Sequence, residues 1–314
     1  MTKKVLIIMD PLESINIKKD TTYQLIISAQ EFGHKVYYLK PETLSINSMG
    51  PTGKIYEVEV NKKNSYPLKI SNVKSYNLSD FDFILMRKDP PVDNNYIYMT
   101  HILDSVNNKH TRIINPGFTL RNHNEKLITL NFPEHIPKSL VTCNKEDIQE
   151  FKSMHKKIIL KPLNLMGGRS VYFLDQNDKN FNVIFEEITN MGKNYILAQK
   201  YVEEAINGDK RIITINGKVF KEAAIRIPNI NDHRSNLASG GTIEKYILNK
   251  EEISICKEIA SFLKKERIYF AGIDMIGKKI TEINITSPTC IAEINQFHKI
   301  NLGIKFWELI NESN

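Results

Sequence analysis

Three oxygen-bearing side chains near the C-terminus could share one face of a β-hairpin. Glu282 and Asn284 are two residues apart, so both point to the same side of a strand, and Asp274 lies on the strand that would pair with it. Two carboxylates and an amide suit Mg²⁺, with Mn²⁺ as a possible substitute, and such a metal can be held against phosphates. The alternate positions are apolar and suit a core: Ile273, Met275, Ile283 and Ile285.

The register of this hairpin decides whether Asp274 joins the other two side chains. Asp274 faces the same side as Glu282 only if the two pair, which centres the hairpin on Lys278. That register requires an odd-length loop, such as Gly277–Lys279, or a β-bulge. A two-residue turn at Gly277-Lys278 would put Asp274 on the wrong face. Residue types alone also fit a solvent-exposed polar face.

A glycine turn provides a second candidate for chemistry. Gly167 and Gly168 follow the apolar run Ile158–Pro162, but they match neither a Walker A sequence nor a dinucleotide fingerprint. A glycine turn between two strands can still offer backbone N–H groups to phosphates, and Lys161 would add a positive charge. An ordinary hairpin turn explains the same residues, so both interpretations stay open.

Arginines form the third constellation. Arg211, Arg226 and Arg234 fall within one hairpin-and-loop region, beside Asp209. Guanidinium groups bind carboxylates and phosphates bidentately, so the cluster suits anionic substrates or charge that develops in phosphoryl transfer. Surface salt bridges are the alternative. We find no convincing Ser/His/Asp or Cys/His arrangement for a covalent nucleophile.

Composition limits the class of protein. The chain has 314 residues, 41% hydrophobic and 25% charged, which is ordinary for a soluble enzyme of two or three domains. No apolar run approaches the roughly 20 residues of a membrane-spanning helix, and the N-terminus predicts a first strand rather than a secretory signal. The three cysteines form no disulfide or zinc pattern. The lysines behind the net charge of +7 are dispersed, so we expect no nucleic-acid partner. Because neither a secretory signal nor a spanning segment is predicted, we expect a cytoplasmic protein without a membrane partner.

Alternating strands and helices predict how the first third is built. A helix should begin at the N-cap Asp20 and end at Gly33. Strands are expected around it at Lys4–Met9, Val36–Leu39, Phe81–Met86 and Arg112–Asn115. This alternation of strands and helices is typical of a doubly wound sheet, in which ligands lie at the carboxyl ends of strands. Ser14–Asp20 and Arg87–Pro91 occupy such ends.

The remainder predicts an α+β organisation that is rich in hairpins. A helix is expected to begin within Arg121–Lys126, and Asn216-Gly217 is a strong hairpin signal. Residues 228–241 predict a long functional loop. The other predicted elements are strands at 139–142, 157–162 and 171–173, helices at 145–155 and 251–265, and paired strands at 268–276 and 279–285.

Together these segments resemble the ATP-grasp superfamily and, within it, the bacterial glutathione synthetases. The resemblance extends from Met9 to Cys290. Its most specific runs are Asn-Ile-Lys-Lys-Asp at 16–20, Met-Arg-Lys-Asp-Pro-Pro at 86–91 and Asn-Ile-Thr-Ser-Pro-Thr at 284–289.

The resemblance implies an ATP-grasp fold of mixed α/β and α+β class. A Rossmann-like sheet domain would span residues 1–122, a central lid domain 123–200, and a C-terminal domain for ATP and metal 201–314, with a substrate loop at 227–241. It implies condensation of γ-glutamylcysteine with glycine by a homotetramer, with ATP as co-substrate and an acyl phosphate as intermediate. Two alternatives stay open: an ATP-grasp ligase for a different acid or amine, and a non-enzymatic binding protein that has kept the fold.

Carried over residue by residue, the resemblance implies specific roles. Arg211 would act on charge in the reaction, and Asp274, Glu282 and Asn284 would bind the metal. ATP would contact Lys126, Lys161, Gly167, Gly168, Gln199, Lys200, Tyr201, Val202 and Asp209. The substrates would contact Asn16, Lys18, Arg87, Arg226, Arg234, Ser287 and Thr289.

The phosphate loop departs from the family pattern. Asn164-Leu165 stands where the family has Asp-Gly, and Arg169 stands where it has a small residue. The loop is therefore bulkier and more basic than the resemblance implies. A glycine pair expected near Asn229-Ile230 is also missing.

Overall fold

Three β-sheets follow one another along the described part of the chain. The computed structural model describes residues 2–60, 68–107, 109–229 and 240–312. The first sheet lies between Lys4 and Ile114, the second between Ser139 and Lys200, and the third between Asp209 and Asn284.

The first sheet has a parallel centre and an antiparallel extension. Its strands are β1 (Lys4–Met9), β2 (Lys35–Leu39), β3 (Ser45–Asn47), β4 (Gly50–Val60), β5 (Leu68–Asn77), β6 (Phe83–Arg87) and β7 (Arg112–Ile114). Strands β2, β1, β6 and β7 are parallel in that order, which agrees with the predicted doubly wound arrangement. The antiparallel pair β4 and β5 was not predicted.

Helices flank this sheet, and the first of them forms as predicted. Helix α1 (Thr21–Glu31) is capped by Asp20, whose Oδ1 accepts the N–H of Tyr23 at 2.7 Å. Gly33 follows the helix with φ +86°, a backbone conformation that glycine adopts at no steric cost. Helix α2 (Asn94–Asp104) comes after β6.

The helix predicted to begin within 121–126 is wrong. Helix α3 (Gly117–Asn122) ends there, and a 3₁₀ helix at Leu127–Asn131 follows. Between them, Asn124 Oδ1 accepts the N–H groups of Lys126 and Leu127, at 3.0 and 3.2 Å. Because a local side chain takes these donors, the backbone turns instead of continuing a helix.

The second sheet is small and antiparallel. It contains β8 (Ser139–Thr142), β9 (Ile158–Pro162), β10 (Tyr172–Leu174) and β11 (Ile196–Lys200), in the order β10-β9-β11-β8. Helices α4 (Lys145–His155) and α5 (Phe181–Thr189) pack on it around a core that includes Leu160 and Ile196. The predicted elements of this region match to within a residue or two.

The third sheet carries the candidate metal hairpin. Its strands are β12 (Asp209–Ile215), β13 (Lys218–Val219), β14 (Glu222–Ile227), β15 (Thr242–Ile247), β16 (Phe270–Ile276) and β17 (Lys279–Asn284). The turn between β12 and β13 has φ of +50° at Asn216 and +80° at Gly217, as the predicted hairpin requires. Helix α6 (Lys250–Lys265) begins with a capping box, and α7 (Ile291–His298) and α8 (Leu302–Asn311) end the described chain.

Buried polar contacts fix the first sheet against the third. The amide of Asn115 accepts the N–H groups of Tyr269 and Phe270 and donates to the carbonyls of Phe270 and Ile285. Trp307 Nε1 donates to the carbonyl of Leu25 at 3.0 Å. These contacts join the end of β7 to β16 and to the residue after β17, and α8 to α1. In the described ranges, no helix has the length and hydropathy needed to cross a bilayer.

Candidate active site

The hairpin of β16 and β17 brings Asp274 and Glu282 opposite each other. Ile276 pairs with Lys279, so the turn at Gly277-Lys278 has two residues, yet Asp274 still pairs with Glu282. The register shifts beyond Asp274, which leaves Thr281 as the extra residue of a β-bulge. Of the two solutions that the sequence allowed, the fold uses the bulge. The opposite face is core, as predicted, with Ile273, Met275, Ile283 and Ile285 fully buried.

Asp274 is the centre of a buried ion-pair network. Arg211 donates to both of its oxygens, from Nε to Oδ1 at 2.6 Å and from Nη2 to Oδ2 at 3.0 Å. Arg226 Nη2 and Asn284 Nδ2 each lie 3.0 Å from Oδ2. Burial alone would raise the pKa of Asp274, but the two guanidinium groups outweigh it and hold the pKa at about 2.

Asp209 shares Arg226 with Asp274 but is less well satisfied. Its Oδ2 accepts from Arg226 Nη2, and its buried Oδ1 has no partner among the described residues. Burial raises the pKa of Asp209 to about 6, although Arg226 opposes the shift. The carboxylate lines the cleft described below.

Lys126 links the hairpin to the glycine turn. Its Nζ lies 2.9 Å from Glu282 Oε1 and donates to the carbonyl of Leu165 at 2.8 Å. Asn124 Nδ2 donates to the neighbouring carbonyl of Leu163 at 2.8 Å. The segment that leads into the glycine turn is therefore fastened through its backbone to the segment that carries Lys126.

A cleft lies between the second and third sheets. Gly167 and Gly168, at φ +68° and +76°, form one wall of it. Lys161 enters from β9, and its Nζ donates to Gln199 Oε1 at 2.8 Å. Burial lowers the pKa of Lys161, although the Glu282 carboxylate opposes this effect. Other predicted residues on the wall are Lys126, Lys200, Tyr201, Val202, Asp209, Asp274 and Glu282.

Two further predicted residues lie at or beside the segment that precedes α7. Arg87 is buried at the end of β6, where Nε donates to Thr22 Oγ1 and Nη2 to the Pro288 carbonyl, both at 3.0 Å. Thr289 is exposed, and its Oγ1 accepts from Arg211 Nη1 at 3.1 Å.

Some predicted residues lie apart from these networks or cannot be placed. Ser287 is half-buried on the stretch before α7, whereas Asn16 and Lys18 are exposed in the loop after β1. Arg234 lies outside the described residues, as does most of the predicted substrate loop at 227–241.

Sequence reasoning gave no role to Glu125. This carboxylate is buried, and its Oε1 accepts the N–H groups of Ile285 and Thr286 and the hydroxyl of Thr286. Burial raises the pKa of Glu125. Its partners lie 160 residues along the chain, so no local pattern could have revealed the contact. By fastening the Asn124–Lys126 segment to the end of β17, Glu125 sets the position of Lys126 beside Glu282.

Family models match most of the chain in two parts. Residues 3–121 match the prokaryotic glutathione synthetase N-terminal domain, and residues 125–299 match the prokaryotic glutathione synthetase ATP-grasp domain. Glutathione synthetase of Wigglesworthia glossinidia brevipalpis is 41% identical over 304 residues, which are 96% of this chain and 95% of that protein. Glutathione synthetase of Buchnera aphidicola subsp. Baizongia pistaciae is 42% identical over 306 residues, 96% of this chain and 94% of that protein.

Solved structures share the fold at much lower identity. D-cycloserine synthetase DcsG aligns with a TM-score of 0.68 and 12% identity, over 98% of this chain and 99% of that one. The RimK domain protein ATP-grasp from Sphaerobacter thermophilus DSM 20745 aligns with a TM-score of 0.62 and 12% identity, over 98% and 99%. Such likeness shows the ATP-grasp fold alone. Together with the family models and the full-length relatives, it establishes that the chain belongs to the prokaryotic glutathione synthetase family of ATP-dependent ligases.

Proposed function

We propose that this chain uses ATP to join the cysteinyl carboxylate of γ-glutamylcysteine to the amine of glycine, giving glutathione, ADP and phosphate. The relatives named glutathione synthetase, which align over nearly the whole chain, support these substrates. One observation in the fold carries the proposal. The carboxylates of Asp274 and Glu282 share one face of a hairpin, and each is bound by cations, Asp274 by Arg211 and Arg226 and Glu282 by Lys126.

We assign the nucleotide to the cleft between residues 123–200 and 201–314. Lys126 and Lys161 would bind phosphates, and the backbone N–H groups of Gly167 and Gly168 would add donors. The strand end at Gln199, Lys200, Tyr201 and Val202 would hold the adenine, largely through its backbone. Asp209, which lines the same cleft, would lie near the sugar.

The donor set on the hairpin fits Mg²⁺ or Mn²⁺. Asp274, Glu282 and Asn284 supply two carboxylates and an amide oxygen, which are the ligands that hard divalent cations prefer. No cluster of three or more His, Cys, Asp and Glu side chains offers a competing site in the described ranges. When bound, the metal would neutralise charge on the ATP phosphates.

The reaction requires that the substrate carboxylate is first activated and that its acyl group is then transferred to the amine. The substrate carboxylate oxygen attacks the γ-phosphorus of ATP, an O–P bond forms, and the bond to ADP breaks. The glycine nitrogen then attacks the acyl carbon, a C–N bond forms, phosphate leaves, and the amine gives up a proton. Arg211 would stabilise negative charge on the acyl phosphate and on the tetrahedral intermediate. Because an acyl phosphate hydrolyses in water, we assign the loop at 227–241 the role of a lid.

We place the acid and amine substrates between residues 1–122 and 201–314. Arg87 and Arg226 would bind the carboxylates of the dipeptide, with Arg234 of the substrate loop contributing a further guanidinium. Asn16 and Lys18 would approach from the loop after β1. Ser287 and Thr289 would line the acceptor end, which lies beside Arg211 through the contact to Thr289. A cytoplasmic homotetramer is part of the proposal and is supported by the family resemblance alone.

Phosphate release tests the proposed substrates directly. We expect rapid release with ATP, Mg²⁺, γ-glutamylcysteine and glycine together, and little release when either amino compound is left out. A mass spectrum of the product should show glutathione. A panel of other acids and amines is the control, since the fold alone is shared with D-cycloserine synthetase. Faster release with another acid or amine would overturn the substrate assignment while leaving an ATP-dependent ligase.

A further inference from the structure

Two buried charged groups near the start of α1 each keep an atom without a partner among the described residues. Arg87 is 4% exposed, and its Nη1 makes no hydrogen bond there. Glu293, in the first turn of α7, is 8% exposed, and its Oε2 makes none either. Leaving a buried charged group partly unsatisfied is costly, so each of these atoms calls for a ligand.

The start of α1 holds both groups in place. Thr22 Oγ1 accepts from Arg87 Nε at 3.0 Å, and Thr21 Oγ1 accepts the N–H of Ile291, two residues before Glu293, at 3.1 Å. Arg87 also donates to the carbonyl of Pro288 at 3.0 Å, which ties it to the segment leading into α7. Asp20, the cap of α1, interacts electrostatically with both Arg87 and Glu293. Arg87 and Glu293 therefore both lie near the start of α1.

A guanidinium and a carboxylate in this arrangement suit a zwitterion. The end of γ-glutamylcysteine that does not react has an ammonium and a carboxylate on one carbon. We propose, on the basis of the proposed function, that Glu293 Oε2 binds the α-ammonium of the γ-glutamyl group while Arg87 Nη1 binds its α-carboxylate. Glu293 is then a specificity-determining residue for the acid substrate.

The position of this site agrees with the direction of the reaction. The segment that holds Glu293 runs back to Thr289, whose Oγ1 accepts from Arg211 at 3.1 Å. The reacting carboxylate would thus lie beside Thr289, and the ammonium of the γ-glutamyl group beside Glu293, four residues farther along the chain. Lys19 and Thr289 are exposed beside it, which leaves an approach from solvent. An α-linked glutamyl group, whose free carboxylate is two bonds farther from its ammonium, would not satisfy both residues.

Two structural explanations compete for Glu293. A carboxylate in the first turn of a helix is stabilised by the helix dipole, and Lys19 interacts electrostatically with the same group. Either role would make Glu293 matter equally for every substrate. Comparing substrates with and without the ammonium therefore distinguishes a binding role of Glu293 from a structural one.

The test compares γ-glutamylcysteine with N-glutarylcysteine, which lacks only the ammonium. kcat/KM is measured for both with saturating ATP, Mg²⁺ and glycine, in the wild type, in Glu293→Gln, and in Glu258→Gln as a control on an exposed residue of α6. We expect the wild type to prefer γ-glutamylcysteine by about 100-fold, which is the scale of a lost hydrogen bond to a charged group. Glu293→Gln should lose about 10- to 100-fold on γ-glutamylcysteine and little on N-glutarylcysteine, with the KM values for ATP and glycine unchanged.

Several outcomes would overturn the assignment. If Glu293→Gln loses kcat/KM equally on both substrates, Glu293 has a structural role. If the variant loses no kcat/KM on γ-glutamylcysteine, Glu293 does not belong to the substrate site. Should Glu293→Gln fail to fold, as judged by its melting curve, the wild type still decides, because a preference below threefold contradicts an ammonium contact. A wild type that turns over neither compound but accepts another acid would instead overturn the proposed function, and this assignment with it.

Discussion

Arg211 and Asp274 form a bidentate ion pair, with Nε 2.6 Å from Oδ1 and Nη2 3.0 Å from Oδ2. Both groups are buried, and Arg226 reaches the same carboxylate from β14. A residue proposed to act on reaction charge therefore binds a residue proposed to bind metal. Removing one partner of such a buried pair leaves the other uncompensated, so conservative substitutions are the informative ones.

Arg211→Lys should lower kcat more than it raises any KM. Lysine keeps the charge but loses the planar fork that can hold a carboxylate and developing charge together. Loss of one donor of this kind typically costs about 10²–10³ in kcat. Steady-state kinetics with γ-glutamylcysteine, glycine and ATP each varied in turn would measure the effect.

Arg226→Lys should instead raise KM for the dipeptide and leave kcat closer to normal. The residue lies between Asp209 and Asp274, and in our assignment its guanidinium binds a substrate carboxylate that is present before the reaction begins. The same kinetic series would measure both variants side by side. If Arg226→Lys lost kcat while Arg211→Lys lost only KM, the two roles would have to be exchanged.

Glu282→Gln should reduce turnover by several orders of magnitude, even at saturating Mg²⁺. The amide removes a negative charge from the proposed metal site, and metal charge stabilisation is worth several kcal/mol. The substitution also releases Lys126 from its 2.9 Å ion pair, although the contact of Lys126 to the Leu165 carbonyl can persist. Mn²⁺ binding followed by electron paramagnetic resonance would give a readout besides activity. Near-normal turnover and unchanged Mn²⁺ affinity would refute the assignment.

The hairpin shows how far sequence reasoning reaches in this chain. The alternation of polar and apolar residues predicted which face of β16 and β17 is core, and all four predicted core residues are buried. The alternation of side chains along the strands allowed either an odd-length loop or a β-bulge, and it could not decide between the two. Thr281 forms the bulge that decides it, and nothing local marks Thr281 as an extra residue. The choice depends on packing against the rest of the third sheet.

Contacts between distant segments account for what the sequence did not predict. Glu125 is fixed by Thr286, 161 residues away. Glu293 became a candidate only because its Oε2 is buried without a partner among the described residues and because the start of α1 lies near it. The helix expected within 121–126 failed because Asn124 takes its backbone donors. The β4–β5 pair is antiparallel and carries a register shift. Because it does not belong to the alternating strands and helices of the parallel sheet, that alternation did not predict it.

His34 should make the stability of the fold depend on pH. The side chain is 7% exposed, packs edge-on against Trp307, and lies 3.3 Å from Asn311 Nδ2. Burial lowers the pKa of His34, although Asp82 opposes the shift. The folded chain thus binds this proton more weakly than the unfolded chain, whose histidine pKa is about 6.5. Stability should be fully present above that pH and should be lost as the pH falls below it.

Melting temperatures between pH 5.5 and 7.5 would measure this effect. We expect the wild type to lose more stability toward pH 5.5 than His34→Gln does, because glutamine does not titrate. His101→Gln, at an exposed position on α2, is the control and should follow the wild type. Parallel curves for the wild type and His34→Gln would exclude His34 as the source.

Leu165 tests the departure of the phosphate loop from the family pattern. Its side chain is half-buried and lines the proposed nucleotide cleft, and its carbonyl accepts from Lys126 Nζ at 2.8 Å. A non-glycine residue here has less backbone entropy to lose when the loop closes on phosphate. Leu165→Gly should therefore weaken ATP binding by about 0.5–1 kcal/mol. It should also speed turnover if release of ADP limits the rate.

The competing explanation is that Leu165 simply packs, and a second variant separates the two. Leu165→Ala shortens the side chain without restoring the freedom of glycine, and neither substitution removes the carbonyl that Lys126 binds. If backbone freedom is the cause, Leu165→Ala keeps normal ATP affinity while Leu165→Gly loses it, and calorimetric titration of ATP would show the difference. If packing is the cause, both variants melt at a lower temperature without ligand and bind ATP as the wild type does. That second result would contradict an effect of Leu165 on loop closure.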